Sequence, residues 1–156
     1  MKINWKLLIL CIAIPLGVGA VSALLTKESM EIFENLNQPA LSPPGWLFPV
    51  MWTVLYILMG ISSYLILTSG EEPSKVQRAI SVYGYQLAVN FLWPTFFFNF
   101  RWYFVAFLWL LFLIILVVVM IGRFYKLEKR AAYLNIPYLL WLIFAGYLNF
   151  SVYLLN

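Results

Sequence analysis

Hydrophobic and polar positions fall into long apolar stretches separated by short polar breaks. The first stretch runs from Trp5 to Leu25, with Lys6 as its only interruption near the start. A second opens at Pro43-Pro44 and continues to about Thr68, a third covers about Ile80 to Phe100, a fourth Tyr103 to Ile121, and a fifth Ala131 to Leu155. Each approaches the roughly 20 residues that an α-helix needs to cross a hydrocarbon core. The pattern predicts an all-α membrane protein, a five-transmembrane-helix bundle that uses residues 1–156 as a single domain. Its spans are expected at about 5–25, 44–68, 80–100, 103–121 and 131–155. Pro49 is expected to bend the second span and Pro15 the first.

Only one connection is long. Residues 26–43 carry Lys27, Glu28, Glu31 and Glu34, and Glu28, Glu31 and Asn35 have the spacing of a short surface helix. Long connections in compact proteins are usually functional or disordered, and Pro39, Pro43 and Pro44 stiffen the return to the membrane. The segment reads either as a lid over a pocket or as a plain solvated linker.

Composition sharpens this picture. Apolar residues make up 64% of the chain and charged residues 10%, against about 45–50% and about 25% in soluble domains. Mean hydropathy is +0.90. A soluble enzyme or a nucleic-acid-binding domain could not cover so much apolar surface. There is no His, and the single Cys, Cys11, lies inside an apolar run. These counts exclude an internal disulfide framework, a Cys/His zinc site and any His-based triad, so no cofactor and no metal is expected.

The cations partition unevenly. Lys2, Lys6, Lys75, Arg78, Arg123, Lys126, Lys129 and Arg130 fall on one side of the expected spans, and Lys27 and Arg101 on the other. By the positive-inside rule the N-terminus is cytoplasmic, with the 26–43 segment and the C-terminus outside. The charge count and the lack of a transit-type segment favour a bacterial cell membrane.

No charged side chain falls in the middle of any expected span, which argues against an ion-coupled carrier or a proton pump. What remains at membrane depth is neutral: Gln86, Asn90, Thr95, Asn149 and Ser151. Gln86, Asn90, Trp93 and Phe97 share one helical face, as do Tyr138, Trp141, Ala145 and Asn149, and Pro49, Trp52 and Tyr56. The fourth stretch has no such stripe and is expected to face lipid around much of its circumference. Asn and Gln on membrane helices often serve only as interhelical hydrogen-bond partners. Trp and Tyr near span ends, here Trp5, Trp102, Tyr103, Tyr125, Tyr133 and Tyr153, suit an interfacial belt. Trp52, Trp93 and Trp141 lie deeper, beside neutral polar groups, and such aromatic walls suit a planar, largely apolar ligand. Ala13, Gly17, Gly19, Ala20 and Ala23 allow close backbone approach on the first helix, inside the bundle or, alternatively, across a dimer.

Three ordered motifs then identify a family. The run Asn37-Gln-Pro-Ala-Leu-Ser-Pro-Pro-Gly-Trp46, followed by Phe48-Pro-Val-Met-Trp-Thr-Val-Leu-Tyr56, resembles the entry to the second helix in the translocator protein family, also called tryptophan-rich sensory proteins. Gln86-Leu-Ala-Val-Asn-Phe-Leu-Trp93 is similar to the third-helix motif of that family. Pro137-Tyr-Leu-Leu-Trp141 with Phe144-Ala-Gly-Tyr-Leu-Asn149 is similar to its fifth-helix motif. The resemblance covers nearly the whole chain.

It implies five membrane helices, a homodimer, and a pocket opening toward the first loop. It implies binding of porphyrins of the protoporphyrin IX type, or of other apolar ligands such as isoquinoline carboxamides and benzodiazepines, with the protein acting as tetrapyrrole sensor, carrier or scavenger. The ligand-binding residues it implies are Trp52, Asn90, Trp93, Phe97, Trp141, Ala145 and Leu148. The family has also been linked to light-dependent porphyrin breakdown, for which Trp52 and Trp141 would be the catalytic residues. A regulatory or structural membrane subunit is the third reading. Two departures qualify the match. Pro94 follows the third-helix Trp where Ser is frequent in the family, and Tyr147 to Asn156 lacks the basic residue of the sterol motif found in animal members.

Overall fold

The computed structural model describes residues 2–156, Ile32 by its backbone only. Six α-helices and one π-helical turn follow one another: α1 (Trp5–Glu34), α2 (Leu47–Leu67), α3 (Pro73–Pro94), the π turn (Thr95–Asn99), α4 (Tyr103–Leu127), α5 (Lys129–Tyr133) and α6 (Ile136–Leu155). Among the described residues, four segments are long and apolar enough to cross a membrane: Trp5–Glu31, Leu47–Leu67, Tyr103–Leu127 and the α5–α6 segment Lys129–Leu155. The 22-residue α3 is not one of them. Its first turns carry Lys75, Gln77 and Arg78, all exposed, while Val76 and Ala79 turn inward.

Helix ends depart from the apolar boundaries. The expected 26–43 loop is helical as far as Glu34, so the connection proper covers only residues 35–46. Lys, Glu and Met are good helix formers, and no Gly or Pro interrupts 26–34. The Thr26 hydroxyl donates to the Ser22 carbonyl at 3.0 Å. The thirty residues of α1 reach about 45 Å at 1.5 Å per residue, well past a core of about 30 Å. Likewise α3 begins at Pro73 rather than near 80, because Pro is at ease in a first helical turn. At its far end α4 runs on to Leu127 instead of stopping at 121, burying Phe124.

The fifth expected span is broken in two. Pro137 cannot continue a helix from α5, since it lacks an N–H and its ring crowds the preceding turn. Asn135 fills the break: fully buried, it donates from Nδ2 to Ser62 Oγ at 2.7 Å and to the Ala131 carbonyl at 3.0 Å.

The helices close into a ring. α1 packs on α2 and α3, α3 on α4, α4 on α6, and α5 on α2. The core is formed by Leu55, Met59, Ile66, Leu110, Leu113, Val117, Met120, Phe124, Tyr138 and Leu142. Thus α4 buries one stripe, Ala106-Leu110-Leu113-Val117-Met120-Phe124, and turns Leu108, Ile115 and Val118 outward. Against the expectation that α4 faces lipid around much of its circumference, one side of the helix packs into the core and the other is exposed. Of the small residues on α1, Ala13, Gly17, Ala20 and Ala23 are exposed; Gly19 points inward, against the ring of Tyr56.

Hydrogen bonds fix which ends lie together. The Asn4 N–H donates to the Tyr64 hydroxyl at 2.9 Å, and Arg123 Nη1 to the Arg78 carbonyl at 3.3 Å. At the opposite end Ser29 Oγ donates to Asn99 Oδ1 at 2.6 Å, and Asn156 Nδ2 donates to the Asn37 carbonyl at 3.1 Å. The eight cations counted above therefore gather at one end of the bundle, and Lys27 and Arg101 at the other. Beside that cationic end, Glu128 caps α5 by accepting from the Arg130 N–H, and the Arg130 guanidinium holds its carboxyl below the usual carboxylate range.

Candidate functional site

Large side chains from α2, α3 and α6 meet inside the bundle. α3 contributes Gln86 and Asn90, one turn apart on its inner face, and both are buried. α2 contributes Trp52 and Tyr56, again one turn apart; their rings stack with centroids 5.5 Å apart and planes 28° from parallel. α6 contributes Tyr138, which is fully buried and meets Trp52 edge-on at 6.3 Å.

The polar atoms of this group form one chain of hydrogen bonds. The Tyr56 hydroxyl donates to Asn90 Oδ1 at 2.8 Å, Asn90 Nδ2 donates to the Tyr138 hydroxyl at 2.7 Å, and that hydroxyl donates to Gln86 Oε1 at 2.7 Å. Gln86 Nε2 ends the chain at Met59 Sδ, 3.8 Å away. Every link has α3 at one end: the first and last join it to α2, and the middle two join it to α6. Inside a low-dielectric bundle a satisfied network of this kind fixes the relative rotation of the helices that share it.

One turn further along α3 a second cluster begins. Trp93 donates from its indole N–H to Asn149 Oδ1 at 3.1 Å, and Asn149 Nδ2 donates to the Tyr103 carbonyl at 2.8 Å. Pro94 brings no N–H, and the chain then winds wide, with the Phe100 N–H donating five residues back to the Thr95 carbonyl at 3.0 Å. That turn carries Phe97 inward. Phe97 stacks on Trp93 at 5.0 Å and packs edge-on against Phe33 at 5.3 Å and Tyr103 at 5.0 Å.

Of the seven expected ligand-binding residues, four fall in these two neighbouring clusters and three lie elsewhere on α6. Trp52 and Asn90 belong to the first, and Trp93 and Phe97 to the second, with Trp93 touching both cores. Trp141 lies half-buried on α6, edge-on to Phe48 at 5.9 Å and tilted against Phe144 at 5.7 Å. Ala145 packs against the main core, and Leu148 is half-buried on the same helix. The Trp141 indole N–H is buried and finds no acceptor among the described residues. Asn90 and Asn149 do join helices, so the hydrogen-bond role open to them is filled.

Sequence reasoning placed Tyr56, Gln86 and Tyr138 on the right faces without assigning them to the site. The available signal was spacing: Tyr56 and Gln86 lie four residues from Trp52 and Asn90, and Tyr138 three residues before Trp141. Phe48 and Gly19 carry no signal of that kind, because their roles come from contacts between helices. Two surface hollows lie elsewhere. One, of about 490 Å³, is lined by Leu67, Gly70, Pro73 and Val76 at the α2–α3 turn, and the other, of about 430 Å³, by Val18, Gly84, Ala88 and Phe91 on the outer face of α1 and α3.

Residues 11–155 match the TspO/MBR family. The chain is 34% identical to the "Tryptophan-rich protein TspO" of Chlorobaculum tepidum over 150 residues, covering 96% of this chain and 95% of that one. It is 33% identical to the "Tryptophan-rich sensory protein" of Cereibacter sphaeroides over 156 residues, 100% of this chain and 95% of that one. It is also 32% identical to the "Translocator protein" of Homo sapiens over 143 residues, 91% of this chain and 85% of that one. The family match covers both clusters and every long helix except the first turns of α1, and the chain belongs to the TspO/MBR family.

Proposed function

We propose that this membrane protein binds porphyrins of the protoporphyrin IX type, and similar planar apolar ligands, between α2, α3 and α6, and works as a tetrapyrrole carrier, sensor or scavenger. The observation that carries the reading is an aromatic space with one spare donor. Trp52, Trp93, Phe97 and Trp141 offer flat apolar faces, the Asn90 and Asn149 amides are already occupied, and the buried indole N–H of Trp141 finds no acceptor among the described residues. A ligand carboxylate or carbonyl is the partner such a donor lacks. Entry is from the end of the 35–46 connection, where Phe48 covers Trp141; that connection, rather than the longer 26–43 segment, is the lid.

Titration with protoporphyrin IX in the dark, read by tryptophan quenching, tests the proposal. Trp141→Phe is expected to weaken binding on the order of tenfold, by removing the donor. The empty protein should change by no more than about 1 kcal/mol, because Phe keeps most of the apolar area and strands no N–H. Equal affinity in wild type and variant would refute the assigned donor.

The enzyme reading is favoured by a different observation: Trp52, Tyr56 and Tyr138 are three oxidisable rings in contact. It requires light-dependent bleaching of bound porphyrin, with a new product, that disappears in Trp52→Phe. Binding alone gives quenching without product.

The proposal includes five spans, with α3 as the fifth, an N-terminus in the cytoplasm and a homodimer. The crowding of eight of the ten cations at one end supports the orientation. Open space at the outward Gly17 and Gly84 leaves room for a second copy. With Cys11 replaced, a Cys at position 27 should react with an impermeant reagent outside intact cells, and a Cys at 126 should not. The reverse pattern would invert the orientation.

A further inference from the structure

At the cationic end, α3 and α4 lie side by side with two cations on each. Arg123 Nη1 donates to the backbone carbonyl of Arg78 at 3.3 Å, which holds the two arginine positions against each other across the helix pair. One turn further out, Lys75 on α3 and Lys126 on α4 repeat the arrangement at i−3 and i+3. Among the described residues, the ion pairs are Lys75 with Glu72, at 3.9 Å, and Arg130 with Glu128, at 3.0 Å. Glu72 serves the outer rung, and neither Arg78 nor Arg123 has a carboxylate partner. Two cationic residues at adjacent positions on neighbouring helices, neither neutralised by a carboxylate, reward an external anion.

Below the arginines the surface turns apolar. Val119 and Ile115 follow Arg123 at i−4 and i−8 on α4 and are 40% and 61% exposed; Tyr85 follows Arg78 at i+7 on α3 and is 68% exposed. This places a charged fork directly above a strip fit for hydrocarbon. A soluble anion would use the fork alone, whereas a phospholipid uses both parts.

We infer that Arg78 and Arg123 form a headgroup site for an anionic phospholipid at the cationic end of the α3–α4 pair. The fork takes the phosphodiester, and the acyl chains lie along Val119, Ile115 and Tyr85. Lys75 and Lys126 frame the outer side and disfavour a headgroup that carries its own ammonium, so phosphatidylglycerol-type lipids are preferred over phosphatidylcholine. General attraction of anionic lipid to a basic membrane face needs only the charges. A site needs the planar, bidentate geometry of Arg, which Lys does not supply.

That difference defines the experiment. The whole chain is reconstituted in equimolar phosphatidylglycerol and phosphatidylcholine, and the lipids retained after gentle extraction are counted by native mass spectrometry. Wild type is expected to retain phosphatidylglycerol in preference to phosphatidylcholine. R78K/R123K, which keeps every charge and serves even if the Gln pair does not fold, should lose most of that preference. R78Q/R123Q should lower it on the order of tenfold, while K2Q/K6Q, at the same end but on α1, should leave it intact. Inorganic phosphate in excess over lipid should not displace the retained phosphatidylglycerol. Full retention by R78K/R123K, an equal loss in K2Q/K6Q, or displacement by phosphate would each overturn the assignment.

Discussion

Gly60→Ala is expected to destabilise the bundle by about 3 kcal/mol, at the upper end of what overpacking costs. A Cβ at this position would sit 2.5 Å from Ile12 Cα, 2.7 Å from the Cys11 carbonyl oxygen and 2.9 Å from the Ile12 nitrogen. All three are backbone atoms, so no side chain can swing aside, and α1 must move away from α2 as a body. Gly17→Ala is the matched control, because nothing lies within 4 Å of its added Cβ and Ala is a better helix former by about 1 kcal/mol. Thermal midpoints of both variants in one detergent check the contrast. A Gly60→Ala midpoint equal to that of wild type would mean that α1 and α2 do not approach as described.

Tyr138→Phe should cost about 2 kcal/mol although it deletes a single oxygen. The hydroxyl accepts from Asn90 Nδ2 and donates to Gln86 Oε1, both at 2.7 Å, in a position with no solvent access. Removing it leaves one donor and one acceptor buried without partners. Each stranded group costs about 1–3 kcal/mol in soluble proteins, but hydrogen bonds between membrane helices average about 0.6 kcal/mol, so the lower part of the range applies. Asn90→Leu should cost a similar amount by stranding the Tyr56 hydroxyl and removing the donor to Tyr138, whose own bond to Gln86 remains. The double variant should lose clearly less than the sum, since removing both partners leaves fewer stranded groups than the two single changes together. Strict additivity would show that the hydroxyl and the amide do not share a network.

Hydropathy made four membrane-crossing segments legible, because a bilayer fixes the length of apolar chain that crosses it; α3 is a long helix whose polar first turns keep it from being one of them. Hydropathy did not locate the helix ends. Lys27, Glu28, Glu31 and Glu34 end the apolar run but not the hydrogen bonding of α1, and Arg123 and Lys126 do the same on α4. The break at Asn135 could have been read from Pro137, yet an uninterrupted apolar pattern carried the span through it. For the site, periodicity placed Asn90, Tyr56, Trp52 and Tyr138 on inward faces. Whether Asn90 faces a ligand or another helix depends on where its amide atoms point, and spacing holds no information on that. The inward turn of Gly19 against Tyr56 was hidden for a related reason: all five small residues of α1 look alike until a neighbour is in place.

The wide turn at Thr95–Asn99 has a bearing on how chains of this kind diverge in length. A π turn is an α-helix that has absorbed an extra residue. Within α3 a one-residue insertion or deletion would swing everything beyond it by about 100°, taking Asn90 and Trp93 away from α6. At the π turn the same change is taken up by tightening or loosening one loop of backbone, with Trp93 before it and Tyr103 after it still facing inward. Single-residue length differences among relatives should therefore collect between Pro94 and Arg101, and the stretch from Gln86 to Trp93 should align without gaps.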